Sequence, residues 1–149
     1  MARFNYRMQS ILDIKKKLEN QAKQELANAQ AALYEENRKL DSLKERKEGY
    51  ERKAEQLLCD TLSVREIMEN KNAILKMDEY IVSQKKRVLM AKENLIVAQN
   101  RMKEAMQERK IQEKLKENAF EVFLEDEKKT ESKEVDELTS YTYGKEHRL

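Results

Sequence analysis

A strict heptad of apolar residues runs through the second half of the chain. Six positions spaced by seven are all apolar: Ile67, Ile74, Ile81, Val88, Leu95 and Met102. The companion positions carry Met77, Ala91, Ala98 and Ala105. Two apolar positions in every heptad form the seam between paired helices. The pattern therefore predicts a long coiled-coil helix whose phase breaks at Arg109, and a second apolar group follows between Ile111 and Leu124.

The first half of the chain, up to about Leu58, carries a looser apolar stripe. Two series recur every eleven residues: Ile11, Ala22 and Leu33, and Leu18, Ala29 and Leu40. An eleven-residue repeat is typical of nearly straight helix pairs. Beyond Leu40 the spacing tightens toward a heptad. Gly49 costs this helix about 1 kcal/mol relative to alanine, so we expect the helix to continue through it.

The apolar pattern stops between residues 59 and 66, which marks a short connection. Ser63 and Glu66 have the spacing of a capping box, which starts a new helix. If Leu57 faces Ile67, the same register pairs large with small residues: Leu33 with Ala91, Ala29 with Leu95, Leu26 with Ala98, and Ala22 with Met102. Such pairs fill a two-helix seam evenly.

The predicted fold class is therefore all-α, with two long helices forming an antiparallel coiled-coil hairpin. A short tip lies near residues 59–66, and a flexible C-terminal tail follows the hairpin. We expect a coiled-coil rod over residues 1–124 and an acidic tail over 125–149. The tail has no helical stripe beyond Val135 and Leu138.

Composition supports this fold class and excludes others. Asp, Glu, Lys and Arg make up 40% of the 149 residues, proline is absent and glycine occurs twice. Folds rich in β-strands need many turns built from glycine, proline, asparagine or aspartate, so barrels, sandwiches and Rossmann folds are excluded. No apolar run reaches the ~18 residues of a membrane-spanning helix, and no secretory signal is recognisable at the N-terminus. We expect a protein of the reducing cytoplasm without direct membrane insertion.

The charge balance argues against a nucleic-acid partner. Lys and Arg number 31 and Asp and Glu number 29, a formal net charge of +2. Residues 118–149 hold 5 basic and 9 acidic side chains, so the excess negative charge is confined to the tail. A coiled coil that binds nucleic acid is expected to be more basic than this.

The residues for catalysis are missing from the sequence. It contains no glycine-rich phosphate loop, no His-Glu metal pair on a helix and no nucleophile with a nearby base. The single Cys59 and the single His147 cannot build a metal site between them. We expect no enzymatic activity, no cofactor and no metal.

The aromatic residues leave two interpretations open. Phe4, Tyr6, Phe120 and Phe123 gather where the two termini meet, and they form either ordinary end packing or an apolar surface for a partner. Tyr80 precedes the seam residue Ile81 and should point sideways. It is either an interface anchor or a side chain that shields the seam.

Both ends of the chain resemble one family. The opening reads Phe4-Asn5-Tyr6-Arg7-Met8-Gln9-Ser10-Ile11-Leu12-Asp13. It resembles the start of the flagellar export protein FliJ family, where an aromatic-x-aromatic-Arg-aliphatic-Gln run leads into a helix rich in Glu, Lys and Ala. The stretch from Glu127 to Leu138 is similar to that family's closing Glu/Lys-rich run with a terminal Asp-Glu-aliphatic.

The resemblance implies a function. Proteins of this family are antiparallel two-helix rods similar to the central stalk of rotary ATPases, within the flagellar type III export apparatus. The implied partners are the hexameric export ATPase, the cytoplasmic domain of the membrane export gate and the export chaperones. The implied location is the cytoplasm, peripherally at the inner membrane under the flagellum. A generic coiled-coil scaffold without an ATPase partner is the alternative.

The resemblance also suggests two sets of partner-binding residues. The end where the termini meet would enter the ATPase ring, with Phe4, Arg7, Met8, Leu12, Phe120 and Phe123 as its contacts. The tip half would contact the export gate through Leu43, Arg46, Tyr50, Met77, Tyr80 and Gln84. Arg46 lies one helical turn before Tyr50, where relatives can carry an aromatic residue.

Overall fold

The computed structural model describes residues 2–59 and 63–147, with side chains as far as Gly144. Two helices make up nearly all of it: α1 spans Gln9–Cys59 and α2 spans Val64–His147. No strand occurs among the described residues. The predicted fold class, two long α-helices paired as an antiparallel hairpin, is confirmed.

Helix α1 begins where the sequence changes from aromatic to amphipathic. A turn precedes it, in which the amide of Gln9 donates to the carbonyl of Tyr6 at 3.2 Å. The helix then runs to Cys59 without interruption at Gly49, as predicted. Gly49 has no positive φ, and a Cβ built there would meet nothing within 4 Å. The glycine is therefore tolerated in the helix without being required by it.

Helix α2 begins at the predicted cap. The Ser63 hydroxyl accepts from the amide of Glu66 at 3.4 Å, and the Ser63 carbonyl accepts from the amide of Ile67 at 3.1 Å. A serine oxygen that bonds an otherwise unpaired amide of the first turn is the usual N-cap. Residues 60–62 of the predicted tip lie outside the described part of the chain.

The chain divides into two compact units. The unit that we call the tip unit comprises Gln21–Lys103. Its buried apolar side chains come from the predicted seam: Ala22, Met77, Ile81, Val88, Ala91, Ala98 and Met102. The predicted register places Lys47 opposite Met77, and the Lys47 Nζ bonds Asp78 Oδ1, one residue further on, at 2.6 Å. The buried face of α2 is thus as predicted, and this contact lies within one residue of the assumed register.

The second unit, which we call the termini unit, comprises Met1–Asn20 with Glu104–Leu149. Leu12 is its most buried side chain, with 1% of its surface exposed. The predicted register, extended to this unit, pairs Phe4 with Phe120, and the centroids of these two rings lie 5.1 Å apart.

The segment predicted as a tail, residues 125–149, is helical as far as His147. No glycine or proline interrupts it before Gly144, and glutamate and lysine favour the helix. All side chains from Lys128 to Gly144 are exposed, in keeping with the missing apolar stripe. The helical backbone is a finding that the apolar pattern alone did not predict. The flexibility of this segment and the domain boundary at 124 stay predictions.

Candidate functional site

Three phenylalanines from both ends of the chain form one aromatic cluster in the termini unit. The Phe4 ring meets Phe120 edge to face at 68°, and it meets Phe123 at a centroid distance of 5.3 Å. Phe120 and Phe123 stack at 6.3 Å. These distances lie within the range at which aromatic pairs attract each other. The cluster fixes the otherwise non-helical residues before Gln9 against α2.

The cluster borders an open groove with a volume of about 450 Å³. Leu12 and the rings of Phe4 and Phe120 supply its apolar wall, while Lys16, Glu113, Lys116 and Glu117 supply charges. Phe120 keeps about two fifths of its surface exposed. The structure therefore brings together Phe4, Leu12, Phe120 and Phe123 of the first predicted set. Arg7 and Met8 are exposed on the turn before α1.

Two buried polar atoms of the termini unit have no hydrogen-bond partner among the described residues. They are the hydroxyl oxygen of Tyr6 and Oε1 of Gln112. A buried polar group without a partner costs about 1–3 kcal/mol, and such groups are few in native proteins. The sequence assigned Tyr6 to the aromatic cluster, but gave no sign that its hydroxyl would be buried.

An ion-pair network explains why the heptad breaks at Arg109. Arg109 occupies the next seam position after Met102, and its guanidinium donates to Glu19 of α1 and to Glu113 one turn along α2, at 2.8 Å in the second case. The hydrogen bond to Glu19, followed by that to Glu113, raises the pKa of Arg109 above its ordinary value. Glu19 is buried, so a charged pair replaces an apolar pair at this level of the seam.

The second predicted set lies in the tip unit and divides by exposure. Tyr80 and Arg46 are exposed, and Tyr80 points away from the seam as predicted. Leu43 and Tyr50 are half-buried at the edge of the seam. Met77 and Gln84 are buried between the helices. The exposed members of this set are therefore Arg46 and Tyr80.

Two buried amides of α2 donate hydrogen bonds to the backbone of α1, and neither interaction was predicted from the sequence. Asn70 Nδ2 donates to the carbonyl of Tyr50 at 3.0 Å, and Gln84 Nε2 donates to the carbonyl of Glu36 at 2.9 Å. The donors are fourteen residues apart and so are the acceptors, which is two heptads on each helix. Asn70 and Gln84 are polar residues at companion positions of the seam. A polar residue at such a position is the sequence feature that could have revealed these hydrogen bonds. A buried polar residue at such a position fixes the register of a coiled coil.

The part of the chain that the structure describes offers no group of three His, Cys, Asp or Glu residues that could hold a metal ion. Within the same residues, neither helix contains a stretch apolar enough to cross a membrane. The partly exposed aromatic and charged side chains described above lie on helix faces and along an open groove. This arrangement suits contact with another macromolecule.

The fold defines a class: an all-α protein built as an antiparallel two-helix coiled coil. A family model described as "Flagellar FliJ protein" matches residues 4–148, so the chain belongs to the FliJ family of flagellar proteins. The chain is 28% identical to the flagellar FliJ protein of Bacillus subtilis (strain 168) over 139 residues. That match covers 91% of this chain and 92% of the relative.

One solved structure shares the fold. A protein of Chlamydia trachomatis described as a YscO homologue superimposes with a TM-score of 0.51 and covers 99% of both chains. At 22% identity this likeness shows the fold alone. Family membership makes the chain a component of the flagellar export machinery. The roles of the individual residues, the partners and the absence of catalysis stay predictions.

Proposed function

We propose that this chain is a soluble coiled-coil stalk of the flagellar type III export apparatus. It binds the hexameric export ATPase, promotes ring assembly and ATP hydrolysis, and contacts the export gate and the export chaperones. It works in the cytoplasm, at the inner membrane beneath the flagellum. Family membership supports the apparatus, and the resemblance at both ends of the chain supports the partners.

The observation that carries the ATPase contact is the aromatic cluster of the termini unit. Phe4, Phe120 and Phe123 join both ends of the chain into one partly exposed apolar surface, beside the exposed Arg7 and Met8. Clustered aromatic and arginine side chains on a rigid scaffold are the residues that most often dominate binding energy. A ring that closes on this surface would bury the exposed part of Phe120 and pair Arg7 with an acidic group.

The contact with the export gate rests on the tip unit. Tyr80 is about half exposed on a helix that the buried Met77 and Gln84 hold in place. Tyrosine on a rigid helix contributes contact area at a small cost in side-chain entropy. Arg46, which is also exposed, adds a charge on the facing helix.

The test is ATP hydrolysis by the flagellar export ATPase of the same organism, titrated with this chain. Stimulation is expected, and Arg7→Glu should shift the titration midpoint by roughly tenfold or more, as for an interface hot spot. Lys110→Glu is the matched control, because Lys110 is also exposed in the termini unit but lies about 15 Å from Phe120 along the helix. No stimulation by the unaltered chain, under conditions where the ring assembles, would favour a scaffold without an ATPase partner.

A binding assay tests the gate contact separately. Tyr80→Ala should weaken binding to the cytoplasmic domain of the export gate by roughly tenfold or more, with helicity unchanged by circular dichroism. Tyr34→Ala is the control, since Tyr34 is another exposed tyrosine of the tip unit. Equal affinities for the two variants would contradict the assignment of Tyr80.

A further inference from the structure

A second apolar stripe with heptad spacing lies outside the seam on α2. Its members follow the seam residues by one position and are spaced by seven: Met68, Leu75, Val82, Leu89 and Ile96. All five side chains are 53–60% exposed. At about 100° per residue, the stripe lies on one flank of the seam, and Tyr80, which precedes a seam residue, lies on the other. Single exposed apolar residues are ordinary, but a heptad series is the pattern of a second helix-pairing surface.

We infer that this stripe is the interface of an antiparallel dimer, in which a second copy of this chain packs its own stripe against it. The two-fold axis passes through Val82. In this register Val82 meets its own counterpart, Leu75 meets Leu89 and Met68 meets Ile96. Every apolar member of the stripe is then opposed by an apolar member of the partner, as an isologous interface requires.

The charges beside the stripe favour this arrangement. Around a two-fold axis the same flank of each copy faces its counterpart, so on one flank Glu79 meets Lys86 twice. Both side chains are exposed, and neither makes an ion pair within the described residues. Opposite charges in such flanking positions direct partner choice and orientation in coiled coils.

The other flank carries opposite-charge and like-charge pairs. Asp78 meets Lys85 twice, although Asp78 already bonds Lys47 of its own chain at 2.6 Å. Lys71 meets Lys92 twice, which is repulsive. The whole interface thus has four pairs of opposite charge and two of like charge.

A parallel arrangement is disfavoured by the same residues. It would bring the two different flanks together, with Asp78 level with Glu79 and Lys85 level with Lys86. Like charges would then face each other at the two levels nearest the centre of the stripe. The sequence therefore favours the antiparallel orientation.

The size of the stripe predicts a weak dimer. The five stripe residues of each copy, ten half-exposed side chains in the dimer, together bury roughly 1,000 Å². This area is below the ~1,600 Å² of a standard specific interface. We expect dissociation in the micromolar range and a population of dimers that depends on protein concentration. The inference does not depend on the ATPase partner, because it concerns the chain alone.

Disulfide cross-linking of the full chain tests the axis. In a Cys59→Ser background, Val82→Cys should form a covalent dimer under mild oxidation, because a disulfide needs Cβ atoms about 3.5–4.5 Å apart. Leu75→Cys and Leu89→Cys should each cross-link poorly alone and efficiently when mixed. Ser83→Cys is the control, since it is exposed but lies off the stripe. Cross-linking of Val82→Cys no better than Ser83→Cys would overturn the proposal, and efficient self-cross-linking of Leu75→Cys would overturn the antiparallel orientation.

Sedimentation equilibrium of charge variants tests the interface without oxidation. Glu79→Lys and Lys86→Glu should each weaken association by about tenfold, since each turns two attractive pairs into two repulsive ones. The double variant E79K/K86E should recover the affinity, because the swapped charges face each other again. A chain that stays monomeric up to a few hundred micromolar would overturn the dimer and leave the stripe to another protein or to solvent. A double variant as weak as the single ones would overturn the register.

Discussion

The two units use the same pairing of helices but different chemistry to hold it. In the tip unit, aliphatic seam residues are accompanied by the Asn70 and Gln84 amides, which bond backbone carbonyls of α1. In the termini unit, the seam carries the Glu19–Arg109 pair and ends in the phenylalanine cluster. Amides do not titrate, and their bonds to carbonyls are only weakly screened by salt. The two units therefore differ in what lies buried in the seam: neutral amides in the tip unit and a charged pair in the termini unit.

The largest effect expected from a single substitution is in the termini unit. Leu12→Ala should destabilise it by about 2–4 kcal/mol, because a buried leucine loses its contacts and leaves a cavity. Hydrogen exchange should accelerate in residues 9–20 and 104–124 and stay nearly unchanged in Gln21–Lys103. Ile14→Ala, at an exposed position of the same turn, is the control with an expected change below about 0.5 kcal/mol. Equal acceleration in both units would contradict the placement of Leu12 in the core of the termini unit.

Removal of both amides should have the next largest effect, this time in the tip unit. The double variant N70A/Q84A should lose about 1–3 kcal/mol, as expected for two hydrogen bonds of part-buried groups. Its helices should also lose their unique register. Urea unfolding measures the first effect, and disulfide cross-linking across the seam measures the second. The control N72A/S83A removes polar groups from exposed neighbouring positions. A variant with unchanged stability and a single register would show that the amides do not lock the pairing.

High salt should have a smaller effect, and one that both units share. At 1 M NaCl the Debye length is about 3 Å, so the part-exposed cross-helix pairs should weaken: Lys15–Glu108 in the termini unit and Lys47–Asp78 in the tip unit. Glu19 is buried, and salt screens a buried pair much less. Exchange should therefore rise a few-fold in both units, and the response of Glu19→Gln should match that of the unaltered chain. A markedly smaller salt response in Glu19→Gln would show that the Glu19–Arg109 pair is screened as well.

The smallest effect concerns Lys47, at the edge of the tip-unit seam. The hydrogen bond to Asp78 raises the pKa of Lys47 above its ordinary value of 10.5. Since the folded pKa is the higher one, the pair stabilises the fold below pH 10.5, and this stabilisation is lost as the pH rises through the folded pKa. The melting temperature of Lys47→Gln should lie about one degree below that of the unaltered chain at pH 8.

The contribution of the Lys47–Asp78 pair to stability can also be tested at high pH. The difference between Lys47→Gln and the unaltered chain should shrink as the pH rises above 10.5 and through the folded pKa, because Lys47 then loses its charge in the folded state as well. Lys44→Gln, at an exposed position one turn earlier, should show no such pH dependence. A constant difference across this range would mean that Lys47 stabilises through its alkyl chain.

The apolar pattern was sufficient to predict the two helices and the face of α2 that is buried. Six apolar residues at intervals of seven determine which face of α2 is buried, and Ser63 marks where α2 begins. The pairing of large with small residues then predicts the antiparallel register, which the contact of Lys47 with Asp78 supports. These features follow from local sequence, because helix periodicity and capping involve residues close together in the chain.

The polar interactions of the seam were harder to predict. In the sequence, Arg109 interrupts the apolar heptad, and the structure shows that it pairs with Glu19 of α1. In the same way, Asn70 and Gln84 interrupt the apolar companion positions, and the structure shows that they bond backbone carbonyls of α1. Each of these depends on a partner tens of residues away. The helix beyond residue 124 was missed for another reason: helix propensity persists where an apolar stripe does not.

We propose that the two units bind different partners, the termini unit the export ATPase and the tip unit the export gate. Hydrogen exchange of the full chain, with saturating ATPase and separately with the cytoplasmic domain of the gate, tests it most directly. We expect the ATPase to slow exchange in residues 4–20 and 104–124, and the gate to slow it around Arg46 and Tyr80. Protection of the same residues by both partners, or of the tip unit by the ATPase, would contradict it.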